Sequence, residues 1–128
     1  MEANIDGHQR KVLRSEVRPT KSDHGASGIP LRNGRSLPFR VNRGWNAPAG
    51  NYPETWYLVA PDTNEVLYEG PVVFVQVWGL QSITDLTDEV TEPIRLAPGT
   101  YKIVWSLGGV LGGELEVEAR ELPSEAAA

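Results

Sequence analysis

Few side chains in this sequence combine the type and spacing that acid–base or metal chemistry needs. There are two histidines, His8 and His24, and no cysteine. Both histidines lie in a polar N-terminal stretch, where an imidazole is not held in a productive geometry unless the segment is docked. The usual zinc donor sets are therefore absent, as are disulfides and thiolate chemistry. The acids Asp85, Asp88, Glu89 and Glu92 fall at i, i+3, i+4 and i+7. Carboxylate oxygens suit a hard cation, but this run has neither the spacing nor the glycine of an EF-hand loop. A solvated acidic face is the better reading. Glu114, Glu116 and Glu118 alternate along one segment and face the same way, whereas glycoside hydrolysis needs two carboxylates opposed across a cleft. The glycine-rich run Gly108–Gly113 lacks the terminal Lys-Ser/Thr of a phosphate-cradling loop and opens no helix. No catalytic residue, metal ligand or cofactor motif emerges, and a non-enzymatic role is expected.

The remaining distinctive residues suit contact rather than catalysis. Residues 1–44 hold nine Lys/Arg and four acids, a balance of +5, while residues 45–128 hold three basic residues and thirteen acids, a balance of −10. Such a split reads as a basic tail joined to an acidic domain. Residues 1–36 show little apolar periodicity, and Pro19, Gly25, Gly28, Pro30 and Gly34 interrupt any regular element. They are expected to form an extended arm. Its basic residues Arg10, Arg14, Arg18, Arg32 and Arg35 and its apolar anchors Ile29, Leu31, Leu37 and Phe39 would lie on a partner surface. Nine dispersed cations mixed with acids make nucleic acid an unfavoured partner. Trp45 and Tyr52 fall in a Pro/Gly/Asn-rich loop, and Val110-Leu111 sits between two Gly pairs. These four are expected to be exposed loop contacts.

The elements that would carry those residues are strands. A first strand around Phe39 and Val41, and the stretches Thr55–Ala60, Glu65–Glu69, Val72–Trp78, Ile94–Leu96, Thr100–Leu107 and Glu114–Arg120, each show β-rich or alternating composition. Pro61-Asp62-Thr63-Asn64 is a turn with suitable chemistry. The near-continuous apolar run Val72–Trp78 is expected at the centre of the core. Trp78, Ile103, Trp105 and Val117 are assigned to one hydrophobic cluster. Residues 81–93 read either as a short helix with an acidic face or as an irregular edge strand. Seven to eight short strands with regular turn signals indicate an all-β fold. The domain plan is a basic arm over 1–36, a small antiparallel β-sandwich over 37–122 and a flexible tail over 123–128. A chain beginning at Leu37 is thus expected to keep its fold.

The stretch IRLAPGTYKIVW, with the strand that follows it to about residue 119, resembles the penultimate strands of immunoglobulin-like and fibronectin-like modules. That resemblance implies an immunoglobulin-like sandwich, a superfold that hosts many functions. The expected role is a structural or accessory protein that docks on a larger assembly, or on copies of itself, in the manner of a capsid-decorating protein or accessory subunit. The alternative is a small-ligand or carbohydrate-binding module using loop aromatics. The opening MEANIDGHQRKVLRSEV lacks the apolar core of a signal peptide, and no segment nears the ~18 apolar residues of a membrane span. The expected location is the cytoplasm or an intracellularly assembled particle such as a virion.

Overall fold

The computed structural model describes residues 9–123. His8 and residues 124–128, most of the expected tail, lie outside them. The described residues form strands β1 (Lys11–Pro19), β2 (Ile29–Arg32), β3 (Arg35–Ser36), β4 (Phe39–Asn46), β5 (Gly50–Val59), β6 (Val66–Glu69), β7 (Val73–Val77), β8 (Thr84–Val90), β9 (Gly99–Leu107) and β10 (Val110–Glu121). A short 3-10 turn, Ser22–His24, follows β1. The fold is all-β, with a three-stranded sheet A in the order β1-β4-β8 and a seven-stranded sheet B in the order β3-β2-β10-β9-β5-β6. In sheet B, β7 also pairs with β5. Among the described residues no helix is long and apolar enough to cross a membrane.

Within residues 81–93, Thr84–Val90 forms strand β8 and no part is helical. Asp85, Thr87 and Glu89 alternate outward with Leu86, Asp88 and Val90 directed inward, so the four acids do not share a face. One core cluster joins the inner faces of both sheets and includes Phe39, Trp45, Trp56, Ile103, Trp105, Leu107 and Val117. Trp78 is a correction to the expected core: it is 73% exposed.

The expected arm is the larger correction. β1 pairs with β4 from Lys11↔Asn46 to Pro19↔Phe39, so it is an integral strand of sheet A. The chain then crosses to sheet B, where β2 runs parallel to β10, with Ile29 opposite Ala119 and Leu31 opposite Glu121. The apolar anchors Ile29, Leu31 and Phe39 are fully buried in this chain's own core. Leu37 is half-buried, and its N–H donates to the Pro30 carbonyl at 2.8 Å. Burying a large apolar side chain contributes ~1.5–3 kcal/mol, so these residues stabilise the domain itself. The division into an arm and a separate domain does not hold.

β1 escapes sequence reading because of a bulge. The pairing slips between Val12 and Arg14, leaving Leu13 as the extra residue. Val12 and Val17 are five positions apart and would face opposite ways in a regular strand. The bulge shifts the frame by one, and both pack inward. Leu13 itself is exposed. A chain beginning at Leu37 would lose an edge of each sheet and three core side chains. We expect it to lack the cooperative unfolding transition and dispersed amide spectrum of the full-length chain. A native-like spectrum from the truncated chain would contradict this assignment.

Candidate functional site

Two polar systems hold the sheets, and a third, apolar surface is left over. The first is buried. Arg43 and Trp45 point inward from β4, Glu54 and Trp56 point inward from β5, and Asp88 points inward from β8. Arg43 Nε donates to Glu54 Oε2 at 2.7 Å, and Arg43 Nη2 donates to Glu54 Oε1. Nη2 also donates to Asp88 Oδ2 at 3.1 Å, and Nη1 to the Val41 carbonyl at 3.1 Å. The indole N–H of Trp45 reaches Glu54 Oε2 at 2.8 Å, and that of Trp56 reaches Asp88 Oδ2 at 2.8 Å. The Arg43 and Glu54 side chains are fully buried, and that of Asp88 is 19% exposed. Two glycines make room for the rings. A Cβ on Gly70 would fall 2.4 Å from Trp56 Cε2, and one on Gly112 would fall 2.3 Å from Trp45 Cζ3.

Trp45 is accordingly not an exposed loop aromatic; it is a core residue of β4 with its N–H bonded. Tyr52 is also engaged. It is half-buried on β5, donates to the Pro48 carbonyl at 2.8 Å, and carries the Arg10 guanidinium 4.6 Å above its ring. Arg10 donates in turn to the Leu107 carbonyl at 3.0 Å. Of the four expected loop contacts, Leu111 is exposed and Val110 is half-buried.

The second system covers the outer face of sheet A in three registered rows. These are Arg14-Gly44-Asp85, Glu16-Asn42-Thr87 and Arg18-Arg40-Glu89. Arg14 reaches across Gly44 to Asp85, with Nε to Oδ1 at 3.0 Å and Nη2 to Oδ2 at 2.5 Å. A Cβ on Gly44 would come within 2.8 Å of Asp85 Oδ1. The hydrogen bond to Arg14 holds the Asp85 carboxyl below its usual range, and the same bond raises the guanidinium. Asn42 bonds Glu16 at 3.3 Å and accepts from Thr87 at 2.7 Å. Arg40 lies 3.9 Å from Glu89, and Arg18 lies 3.8 Å from Glu16. Arg14 and Arg18 are thus partnered within the sheet. Arg32 is half-buried, and Arg35 is exposed on the two-residue β3.

The acids have no common centre. Asp85 serves Arg14, Asp88 serves Arg43 and Trp56, and Glu92 accepts from the Tyr68 hydroxyl at 2.7 Å. Among the described residues there is no cluster of three or more His, Cys, Asp or Glu able to hold a metal. His24, in the 3-10 turn, sits 4.0 Å from Asp23.

The third surface is β7 and the connection after it. Val73, Val75 and Val77 face inward, while Val72, Phe74 and Trp78 face solvent. Phe74 is 77% exposed. Leu80 and Ile83 are also exposed, so among the described residues five of the eight exposed large hydrophobics fall between Val72 and Ile83. Residues 70–84 contain no charged side chain. Phe74 and Trp78 alone leave roughly 200–400 Å² of aromatic surface in water, comparable to the largest apolar patch on a typical monomer. A groove of about 340 Å³ lies further across the outer face of sheet B, lined by Tyr57, Val66, Val104 and Leu111 with Lys102 and Glu114 at its margin. The apolar run Val72–Trp78 was visible in the sequence, but it predicts burial on both faces. Only the pairing shows that one face is bare.

No protein-family model and no curated protein matches the chain. Among solved structures, it is similar to part of the Pseudomonas fluorescens alkylpurine DNA glycosylase AlkC bound to DNA containing an abasic site analogue. The identity is 17% and the TM-score 0.47, over 88% of this chain and 30% of that one. It is also similar to part of a β-glucosidase from Listeria innocua in complex with laminaribiose, at 14% identity and a TM-score of 0.48, over 84% of this chain and 16% of that one. The chain thus spans less than a third of either enzyme, and likenesses this distant carry no argument about activity.

Two measurements test the polar systems. Glu54→Leu leaves the Arg43 charge buried without its main partner and the Trp45 N–H without an acceptor. It should cost about 3–5 kcal/mol in denaturant unfolding. Asp88→Asn conserves volume, leaves Arg43 paired with Glu54 and still offers the Trp56 N–H an oxygen, so it should cost less than Glu54→Leu; the reverse order would contradict the network. Tyr68 gives the pH test. Burial, followed by the hydrogen bond to Glu92 and the charges of Glu92 and Asp88, pushes its hydroxyl up to about 12. The raised value favours the protonated phenol in the folded state. Its stabilisation is complete below pH ~10 and is lost as pH rises through about 12. Ultraviolet titration should show one late-ionising tyrosine that disappears in Tyr68→Phe and shifts down in Glu92→Gln.

Proposed function

We propose that this chain is a non-enzymatic protein-docking module of a larger assembly, of the accessory-subunit or capsid-decorating kind. In this reading it is an immunoglobulin-like sandwich. Support comes from the pairing order β1-β4-β8 against β2-β10-β9-β5-β6 and from the parallel β2–β10 pair. A further support is the Tyr101 hydroxyl, near the start of β9, which donates to the Ala97 carbonyl at 2.7 Å. That contact resembles the tyrosine corner of such folds.

One observation carries the docking reading: the uncharged, aromatic outer face of β7 and its connection, on a protein whose other sheet is covered by registered ion pairs. A soluble domain rarely leaves such a patch without a contact to make. Contact therefore moves from the N-terminal segment, whose anchors are spent on the core, to Val72, Phe74, Trp78 and the adjoining outer face of sheet B up to Leu111. The stretch 70–84 is uncharged and the groove beyond it holds the Lys102–Glu114 ion pair, so nothing here draws phosphates and a protein partner fits better than nucleic acid. The ligand-binding alternative loses support, since Trp45 is buried and Tyr52 is occupied by Arg10.

The test compares tagged wild-type chain with Phe74→Glu/Trp78→Ser in co-purification from the natural source. Both substituted side chains are exposed, so the melting temperature should hold. Truncating a central aromatic anchor typically costs ~2–4 kcal/mol of binding, so a stoichiometric partner of the wild type should be lost from the variant. Equal recovery by both would overturn the reading.

A further inference from the structure

The sandwich has several free strand edges, and they are not alike. Sheet A ends in β1 and β8, whose outward side chains include Arg14, Glu16 and Arg18 on one and Asp85 and Glu89 on the other. β3 has two residues and carries Arg35; β6 has four and ends in Glu69. Charge and shortness are the usual devices that stop a free edge from recruiting another strand. β7 has neither. It is five residues long, uncharged, and followed by an exposed tryptophan.

The direction of its backbone groups follows from the register. The Gly108 N–H donates to the Pro53 carbonyl at 2.7 Å. The polar groups of Pro53 therefore point toward the β9 side of β5, away from β7. Pro53 lies opposite Phe74, and Asn51 opposite Gln76. In an antiparallel pair, residues that do not bond each other turn their N–H and C=O groups outward. Val73, Val75 and Val77 thus bond β5, while Phe74 and Gln76 direct theirs to the free edge. Among the described residues these groups have no partner.

We propose that this edge pairs antiparallel with the same edge of a second copy, joining two sheets B into one continuous sheet. Charge selects the occupant. The chain carries a net charge of −5, so most self-contacts bring acids together. The stretch 70–84 brings none. Centring the pair on Gln76 places Phe74 of each copy beside Trp78 of the other, an aromatic cross-strand pair. A contact of one strand edge and its aromatics lies at the small end of interface sizes, below ~1,200 Å². The dimer should therefore dissociate reversibly on dilution. The proposal rests on the docking reading for the surface it uses and adds the identity of an occupant.

Sedimentation equilibrium over a wide concentration range tests it, with wild type, Gln76→Pro and Phe74→Glu. Proline at Gln76 removes an edge N–H and no bond to β5, and an edge tolerates it. Phe74→Glu places like charges across the pair without relying on a backbone change. Wild type should pass from monomer to dimer, and each variant should raise the dissociation constant by about tenfold or more at unchanged melting temperature. Amide exchange at high concentration should slow at Phe74 and Gln76, while Val73, Val75 and Val77 are protected at every concentration. Wild type that stays monomeric, or a dimer that persists in both variants, overturns the proposal. Monomeric wild type together with loss of a foreign partner in Phe74→Glu/Trp78→Ser would remove self-pairing and leave the docking reading standing. Dimerisation through β7 with equal recovery of foreign partners would do the reverse.

Discussion

The fully buried pair Arg43–Glu54 is the constraint around which the two sheets are arranged. Removing a guanidinium and a carboxylate from water costs several kcal/mol per ion. That cost is offset only when the geometry is good and the leftover donors and acceptors are matched. Here Glu54 accepts from both Arg43 nitrogens and from the Trp45 indole, while Arg43 spends further N–H groups on Asp88 and the Val41 carbonyl. These partners come from β4, β5 and β8, so the requirement to satisfy them fixes how sheet A faces sheet B. A slip of β5 by one residue would turn Glu54 outward and leave Arg43 buried alone. The network specifies the register more than it adds stability. β7 depends on it in turn, because it pairs with Gly50–Glu54, the half of β5 that ends in the network.

The charge split has a related explanation. The basic first third is not a tail seeking an acidic partner, because its complement lies in the same chain. β1 and β4 bring Arg14, Arg40 and Arg43 beside β8, which brings Asp85, Glu89 and Asp88. Segments distant in sequence with opposite charge thus become neighbours in one sheet. The exposed members contribute little each, ~0–1 kcal/mol, and are weakened by salt. Their position matters more than their energy. They place charge on both edges of sheet A, which leaves those edges poor templates for another strand.

What the sequence discloses follows from what local patterns encode. β5, β6, β9 and β10 were legible because each alternates or is bounded by turn chemistry such as Pro61–Asn64 and Pro98-Gly99. The all-β class and the burial of Trp105, Ile103 and Val117 followed from them. β1 was not legible, since the bulge at Leu13 breaks the alternation, and β2 was hidden because a four-residue strand beside prolines looks like loop. Arg43 and Glu54 gave no signal either. A charged residue at an inward position reads as solvated until its partner, on another strand, is known. Trp45 was misassigned for the same reason: the loop-like composition around it belongs to the β4–β5 connection, while the ring itself is the last inward residue of β4.

The Val72–Trp78 run is the instructive case, because its pattern and its environment disagree. A strand apolar on both faces suits a sheet covered on both sides. Sheet B is covered on one side by sheet A and on the other by nothing among the described residues. Evolution of a free-standing sandwich would be expected to replace Phe74 and Trp78 with polar residues, as it has placed Arg14, Glu16, Asp85 and Glu89 on the outer face of sheet A. The two outer faces obey different rules within one small domain. The sequence is consistent with a strand that has a second layer or an added strand against it, and the isolated chain supplies neither. The uncovered side of β7 is therefore the place where the pattern of the strand and its surroundings differ most.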